Sequence, residues 1–208
     1  MQNEEPDRYV TLRQTARAEP PKTKGSRFIG EAFPVADEAA AMGHLDAVRR
    51  REHAATHHVW AYRLAPDGSA VRYSDDGEPS GTGGLPVLKE IESRGLAHVL
   101  VVVTRYYGGT KLGTGGLARA YAAAAALVLE EAPKRAVVVR RPVRLRFAFA
   151  DTSPAMRTVE RFGAHVADTR YTAEGTELLV HVRASLAEAL AEAFVEALGG
   201  RGEVVPGA

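Results

Sequence analysis

The sequence predicts an α+β protein of two domains, and three observations carry that prediction. Strand and helix patterns alternate along the chain, a proline at Pro133 ends a long Ala-dense helix, and the remainder reads strand, helix, strand, strand, helix, strand. The last order is the split βαβ pattern of a ferredoxin-like sandwich. The expected division is residues 1–132 and 133–208, because proline breaks a helix and marks a boundary.

The elements follow in order. Tyr9 to Ala16 alternates polar and apolar residues, the period of a half-buried strand. Glu19-Pro20-Pro21 and a basic turn through Lys22 and Lys24 lead to a second strand, Ser26 to Val35. Asp37 and Glu38 open a helix with Ala41, Leu45 and Val48 at helical spacing, and Arg49, Arg50 and Arg51 suit its negative end. Val59 to Leu64 and Ala70 to Ser74 form a hairpin around Pro66-Asp67-Gly68-Ser69, whose residues supply the turn geometry. A Gly-rich stretch to Gly84 leads into a helix with Pro86 in its first turn and Leu88 and Ile91 inward. His98 to Thr104 is a continuous apolar run, as in a strand buried on both faces. After a second Gly-rich loop, Leu117 to Glu131 is the Ala-dense helix.

Beyond Pro133, Val137 to Phe149 alternates outward Arg144 and Arg146 with inward Val143, Leu145, Phe147 and Phe149. Asp151 to Phe162 reads as a helix capped near Ser153, with Pro154 at its start and Gly163 as its stop. Ala164 to Tyr171 and Thr176 to Arg183 form a hairpin around Glu174-Gly175. Ser185 and Glu188 have capping-box spacing before a helix with Leu186, Leu190, Ala193 and Ala197 inward. Glu203 to Val205 is a short last strand.

Composition narrows the function. In 208 residues, 27 Lys+Arg stand against 26 Asp+Glu, a net charge of +1, so the chain as a whole has no attraction for nucleic acid or an acidic surface. The counts are 16 basic against 17 acidic up to Pro133, and 11 against 9 from Lys134, so neither half is a basic module. The absence of cysteine excludes disulfides, thiolate nucleophiles and Cys-ligated zinc or iron–sulfur clusters. Met1 to Asp7 has no apolar signal region, and no run approaches the ~18 apolar residues of a membrane span. A cytoplasmic setting with no membrane partner is the expectation.

The most informative segment runs from Thr104 to Leu117, from a buried strand into a helix, through Gly108, Gly109, Gly113, Gly115 and Gly116. Glycines let a backbone approach a ligand closely, and free N–H groups at a helix start attract an anion, here with Arg105 and Lys111 nearby. The competing account is a loop needing positive φ and tight helix packing. No Walker A spacing is present, and Gly113-x-Gly115-x-x-Ala118 lacks the ribose-binding acid of a dinucleotide fold. Ser74 to Gly84 is a second strand-to-helix loop of the same kind. Its Asp75, Asp76 and Glu78 offer oxygen ligands for Mg²⁺, and Ser80 or Thr82 a phosphate contact; the alternative is that they cap the helix and shape the turn. Two such helix starts are of a kind to converge on one anion site.

Other constellations are weaker. His53, His57 and His58 lack the Glu of a zincin pattern, Ala54 standing in its place, and His57 or His58 reads better as a packed strand-entry residue. No Ser occupies a Gly-x-Ser-x-Gly elbow. Arg144 and Arg146 lack the paired stacking aromatics of an RNA-binding sheet, whereas Trp60, Tyr62, Tyr106 and Tyr107 are of a kind to stack on bases or to belong to the core. No metal site and no cofactor are expected.

Four segments together resemble the IMPACT family over about residues 20 to 130: Ser26 to Ile29, Ala55 to Tyr62, Ser74 to Thr82, and Val103 to Tyr121. The last two are specific. The resemblance implies a first domain of the fold shared with the second domain of small-subunit ribosomal protein five. It implies a second, ferredoxin-like domain similar to the fifth domain of elongation factor G. Eukaryotic relatives look like translational regulators that compete for a partner of a starvation-sensing kinase. Bacterial members have been labelled proline dipeptidases, for which this sequence offers no metal-ligand set. Val59 stands where members often have Cys, so thiol chemistry at that position cannot be general.

The expected function is regulation of protein synthesis by binding RNA, the ribosome or a translation-associated protein. The expected contacts are Arg105, Lys111 and Arg119 with Gly113, Gly115 and Gly116, helped by Arg27 and Arg72. The rival expectation is a metal-dependent enzyme acting on a phosphorylated small molecule or nucleotide through Asp75, Asp76 or Glu78. A third is a protein-interaction module with no chemistry of its own.

Overall fold

The computed structural model describes residues 7–205. Residues 1–6 and 206–208, the outer ends of the two expected domains, lie outside the described residues. The chain forms a mixed α/β structure that divides into two compact units, Tyr9–Val137 and a second made of Met1–Arg8 with Val138–Ala208. The division falls five residues beyond Pro133 because the single strand expected over Val137 to Phe149 is two, and the first, Lys134–Val138, pairs with the first strand of the chain.

The unit Tyr9–Val137 is organised by a five-stranded antiparallel sheet in the order β2-β3-β6-β4-β5. Its strands are β2 (Ala16–Ala18), β3 (Arg27–Pro34), β4 (His57–Arg63), β5 (Val71–Ser74) and β6 (Val99–Tyr106). The single strand expected over Tyr9 to Ala16 is two: β1 (Arg8–Leu12) pairs with β7 (Lys134–Val138), and β2 joins the main sheet. The break follows from Leu12, fully buried, and from Arg13, whose N–H donates to Pro133 O.

One face of the sheet packs on α1 (Glu38–Arg51) through Leu45 and Val48 against Trp60, Tyr62, Leu100 and Val102. Asp37 caps α1 as expected, its Oδ1 accepting from Ala40 N–H at 2.8 Å. The other face packs on α2 (Gly84–Ser93) and α3 (Thr114–Glu131), whose Val87, Ile91, Tyr121 and Val128 meet Phe28, Val59, Val101 and Val103. Val99 to Val103 has no exposed surface, because alternate residues feed the two cores. α3 starts three residues earlier than Leu117, which makes Gly115 and Gly116 first-turn residues.

The unit containing Val138–Ala208 has a four-stranded antiparallel sheet in the order β11-β8-β10-β9. Its elements are β8 (Arg140–Phe147), α4 (Thr152–Arg161), β9 (His165–Tyr171), β10 (Thr176–Arg183), α5 (Ala187–Ala197) and β11 (Glu203–Val205). Val159, Leu190 and Phe194 cover Leu145, Leu178 and Val180 on one sheet face. Three sequence expectations are corrected. Phe149 is 54% exposed, because a 3-10 turn over Phe149–Asp151 ends the strand alternation at Phe147. Ser185 closes no capping box: its N–H and Oγ–H both donate to the Asp7 carboxylate, and α5 starts two residues later. Those bonds hold the Asp7 carboxyl below its ordinary pKa. Phe194 on α5 and Leu198 just past its end, rather than Ala197, face inward.

Candidate functional site

The two Gly-rich loops meet. The loop between β5 and α2 and the loop between β6 and α3 open on one cleft of about 540 Å³, with Glu78 and Pro79 from the first and Tyr107, Lys111 and Gly113 from the second. Thr56 and His57 at the start of β4 complete its rim, and Arg105 and Leu117 its inner wall.

The first loop is built around its carboxylates. Asp75 Oδ1 accepts from the N–H groups of Gly83 and Gly84, and Oδ2 from Gly81 N–H, all at 2.8 Å. One side chain thus satisfies the open start of α2, where Gly83 offers none. Asp76, at φ +46, accepts from Arg49 at 2.9 Å and from His58 N–H at 2.7 Å. Its carbonyl accepts from His57 Nδ1 at 2.8 Å, which leaves Nε2 facing Glu78 Oε1 at 3.9 Å. Glu78 turns inward, 9% exposed, and accepts from Arg105 and from Tyr121 Oη–H at 2.6 Å. Burial first, and then this bond, push the Tyr121 phenol far above its ordinary pKa, so it stays a proton donor. Thr82 donates to Pro79 O, and Ser80 is exposed.

The three carboxylates therefore serve three separate sets of partners and do not converge as Mg²⁺ ligands. The capping alternative is the one the geometry supports for Asp75. Asp75→Ala is expected to lower stability by about 1–3 kcal/mol, since three N–H groups lose their acceptor. Urea unfolding checks this; a loss below about 0.5 kcal/mol would show that solvent replaces the carboxylate.

The second loop is fixed by close approach. Gly108 lies so near Gly25 that a Cβ built on it would sit 1.9 Å from the Gly25 carbonyl carbon. Gly108 N–H donates to Ser26 Oγ at 3.1 Å, and Tyr107 N–H to Thr56 Oγ1 at 3.2 Å. Gly113, at φ +71, precedes α3 without any side-chain cap. The N–H groups of Thr114, Gly115 and Gly116 thus form an open, positive helix end beside Lys111. The Arg119 guanidinium lies one turn on, 3.4 Å from where a Gly115 Cβ would be. Lys111 and Arg119 are exposed and make no ion pair among the described residues.

The expected basic contacts divide sharply. Lys111 and Gly113 line the cleft, with Gly115, Gly116 and Arg119 beside it at the start of α3. Arg105 is corrected: it is 5% exposed, because β6 alternation points it toward α3, and it is paired with Glu78 between Phe28 and Tyr107. It forms part of the inner wall of the cleft. Arg27 and Arg72 do not line the cleft; Arg27 makes two bonds to Glu19, at 2.8 and 2.9 Å, and Arg72 binds Glu38. The Glu19 bond holds that carboxyl below its ordinary pKa.

Other readings also separate. His58 is a packed strand residue whose imidazole pKa burial lowers, while His57 faces the cleft. Trp60 and Tyr62 stack on each other in the core, Tyr106 donates to Glu52, and Tyr107 is 47% exposed at the cleft. Arg144 and Arg146 share Glu177, with Glu203 on Arg146, so that sheet face carries balanced charge. Among the described residues no His, Asp and Glu group is arranged as a metal site, and no helix is long and apolar enough to cross a membrane. Sequence reasoning assigned no site role to Thr56 or Tyr121, although both fall in the segments that carry the family resemblance. Tyr121 was legible from its spacing four residues past Leu117 on the inward stripe of α3.

Residues 24–129 match the family pattern described as Impact N-terminal domain. A Thermus thermophilus protein named "IMPACT family member in pol 5'region" is 46% identical over 126 residues, 61% of this chain and 67% of the relative. The Escherichia coli "IMPACT family member YigZ" is 41% identical over 100 residues, so the match spans about half of each chain, 47% and 49%. A crystal structure titled only as a hypothetical protein shares the fold, with a TM-score of 0.68 at 24% identity over 96% of this chain and 97% of that one. The stretch matched by the family pattern contains both Gly-rich loops, the cleft between them and the buried Glu78–Arg105 pair, and on that evidence the chain belongs to the IMPACT family.

Proposed function

We propose that the protein regulates protein synthesis by binding RNA, free or on the ribosome, through the cleft between the Gly-rich loops. The observation that carries this reading is the joining of both loops at one uncapped helix start, with Lys111 and Arg119 unpaired beside it. Open N–H groups and free cations are what a phosphate recognises, and a local patch of this kind does not depend on net charge. Trapped within ion pairs, Arg27, Arg72, Arg144 and Arg146 contribute less.

We read the Tyr9–Val137 unit as the fold of the second domain of small-subunit ribosomal protein five. The sheet order β11-β8-β10-β9 supports reading the other unit as ferredoxin-like, similar to the fifth domain of elongation factor G. Both are components of the translation machinery, which gives the RNA reading its direction by analogy.

The test is sedimentation with ribosomes and with structured RNA across a salt series. Affinity is expected to fall as salt rises, and Lys111→Ala with Arg119→Ala is expected to reduce the log–log salt slope by about 1.5–2, one phosphate contact per side chain. Binding that ignores both salt and the double substitution would overturn the reading.

A further inference from the structure

We propose that the cleft takes a nucleotide phosphate monoester, at an RNA end or on a free nucleotide, with the phosphate at the start of α3 and the base against Tyr107. This rests on the RNA-binding reading of the same cleft and goes further, to the kind of phosphate it holds.

Four observations converge. The first is a buried donor without an acceptor. Arg105 is 5% exposed and lines the cleft, and while one arm of its guanidinium binds Glu78, its Nε has no hydrogen-bond partner. A buried N–H left in this way costs free energy, and it belongs to a side chain that walls the cleft. The second is the uncapped helix end at Thr114, Gly115 and Gly116 beside Lys111, which together favour an anion. Glu78 does not oppose it, because Arg105 balances its charge.

The third observation is size. A cleft of about 540 Å³ lies within the range of roughly 300–1,000 Å³ that encloses small ligands, and a bare phosphate would leave most of it empty. Tyr107, 47% exposed on the rim, offers an aromatic surface for the rest, and the Arg105 guanidinium 5.4 Å from its ring centre holds it in place. The fourth is that buried side chains form the inner wall, so that the cleft is approached from its rim. Glu78, Arg105 and Leu117 are each no more than 9% exposed. A phosphodiester inside a chain needs two exits from the phosphate, whereas a monoester needs one. The monoester also carries close to two negative charges and three terminal oxygens, which matches a row of N–H donors with a lysine.

The experiment uses the full chain and short RNAs of one sequence that end in a 5′-phosphate, a 3′-phosphate or hydroxyls only, together with AMP. Anisotropy is measured directly for the RNAs and by competition for AMP. A phosphate end is expected to tighten binding about tenfold over hydroxyl ends. Tyr107→Ala is expected to remove about tenfold from the phosphate-ended RNA, while Tyr107→Phe keeps its affinity. Lys111→Ala is expected to reduce the preference for a phosphate end. Preference for an end without AMP competition assigns the site to RNA termini, and competition by AMP without an end preference assigns it to the free nucleotide. Equal binding of all three RNAs with no AMP competition overturns the inference and leaves salt-sensitive RNA binding standing. No binding of any RNA or of AMP overturns both.

Discussion

Glu78→Ala is expected to cost about 3–5 kcal/mol of stability, the range for breaking a buried ion pair by removing one partner. Glu78 accepts from Arg105 and Tyr121, and these three side chains, none more than 9% exposed, join the first Gly-rich loop to β6 and α3. Without the carboxylate, the Arg105 charge remains buried with no counter-charge, and the Tyr121 hydroxyl loses its acceptor. The size of the loss reflects the stranded arginine more than the strength of the pair. Glu78→Leu combined with Arg105→Met is therefore expected to recover most of the stability, since an apolar replacement of both partners is often neutral. Urea unfolding of the two single variants and the double variant decides the matter. Additive losses in the double variant would show that the two side chains act independently.

The same triad marks how far the sequence could be read. The pattern of Val99 to Val103 identifies a central strand, and the strand period then requires Arg105 to face the same side as Val101 and Val103. The position of Arg105 inside the protein was thus legible, but its charge and its place beside a glycine-rich loop argued for the surface. What reverses the argument is Glu78, which lies 27 residues earlier and arrives only through tertiary folding. Glu38, the partner of Arg72 from 34 residues earlier, was hidden for the same reason. By contrast, Asp37 capping α1 and the hairpin between β4 and β5 depend on neighbours in sequence and were read directly. The convergence of the two loops stood as an open possibility in sequence, because each lies at a strand end whose position in the sheet order is a long-range property. The pairing of β7 with β1 and the Asp7–Ser185 bond, between residues more than 100 apart, carried no local signal.

Gly108→Ala is expected to be the most damaging single-methyl change in the second Gly-rich loop, with a loss of about 3 kcal/mol or more. Its Cβ would lie 1.9 Å from Gly25 C and 2.2 Å from Ser26 N, so no rotation of a side chain relieves the contact and two backbone segments must separate. That separation also breaks the bond from Gly108 N–H to Ser26 Oγ and releases the loop that carries Lys111. Gly109 provides the control. It has φ +87 but open space around it, so Gly109→Ala tests backbone conformation alone and is expected to cost about 1–2 kcal/mol. Denaturant unfolding of both variants separates the two causes, and equal losses would show that positive φ rather than close approach fixes the loop. If close approach is the cause, RNA affinity in Gly108→Ala should fall even at temperatures where the variant remains folded. The glycine-rich sequence then acts in two distinct ways: Gly108 sets where the loop lies, and Gly113 leaves the start of α3 without a side-chain cap.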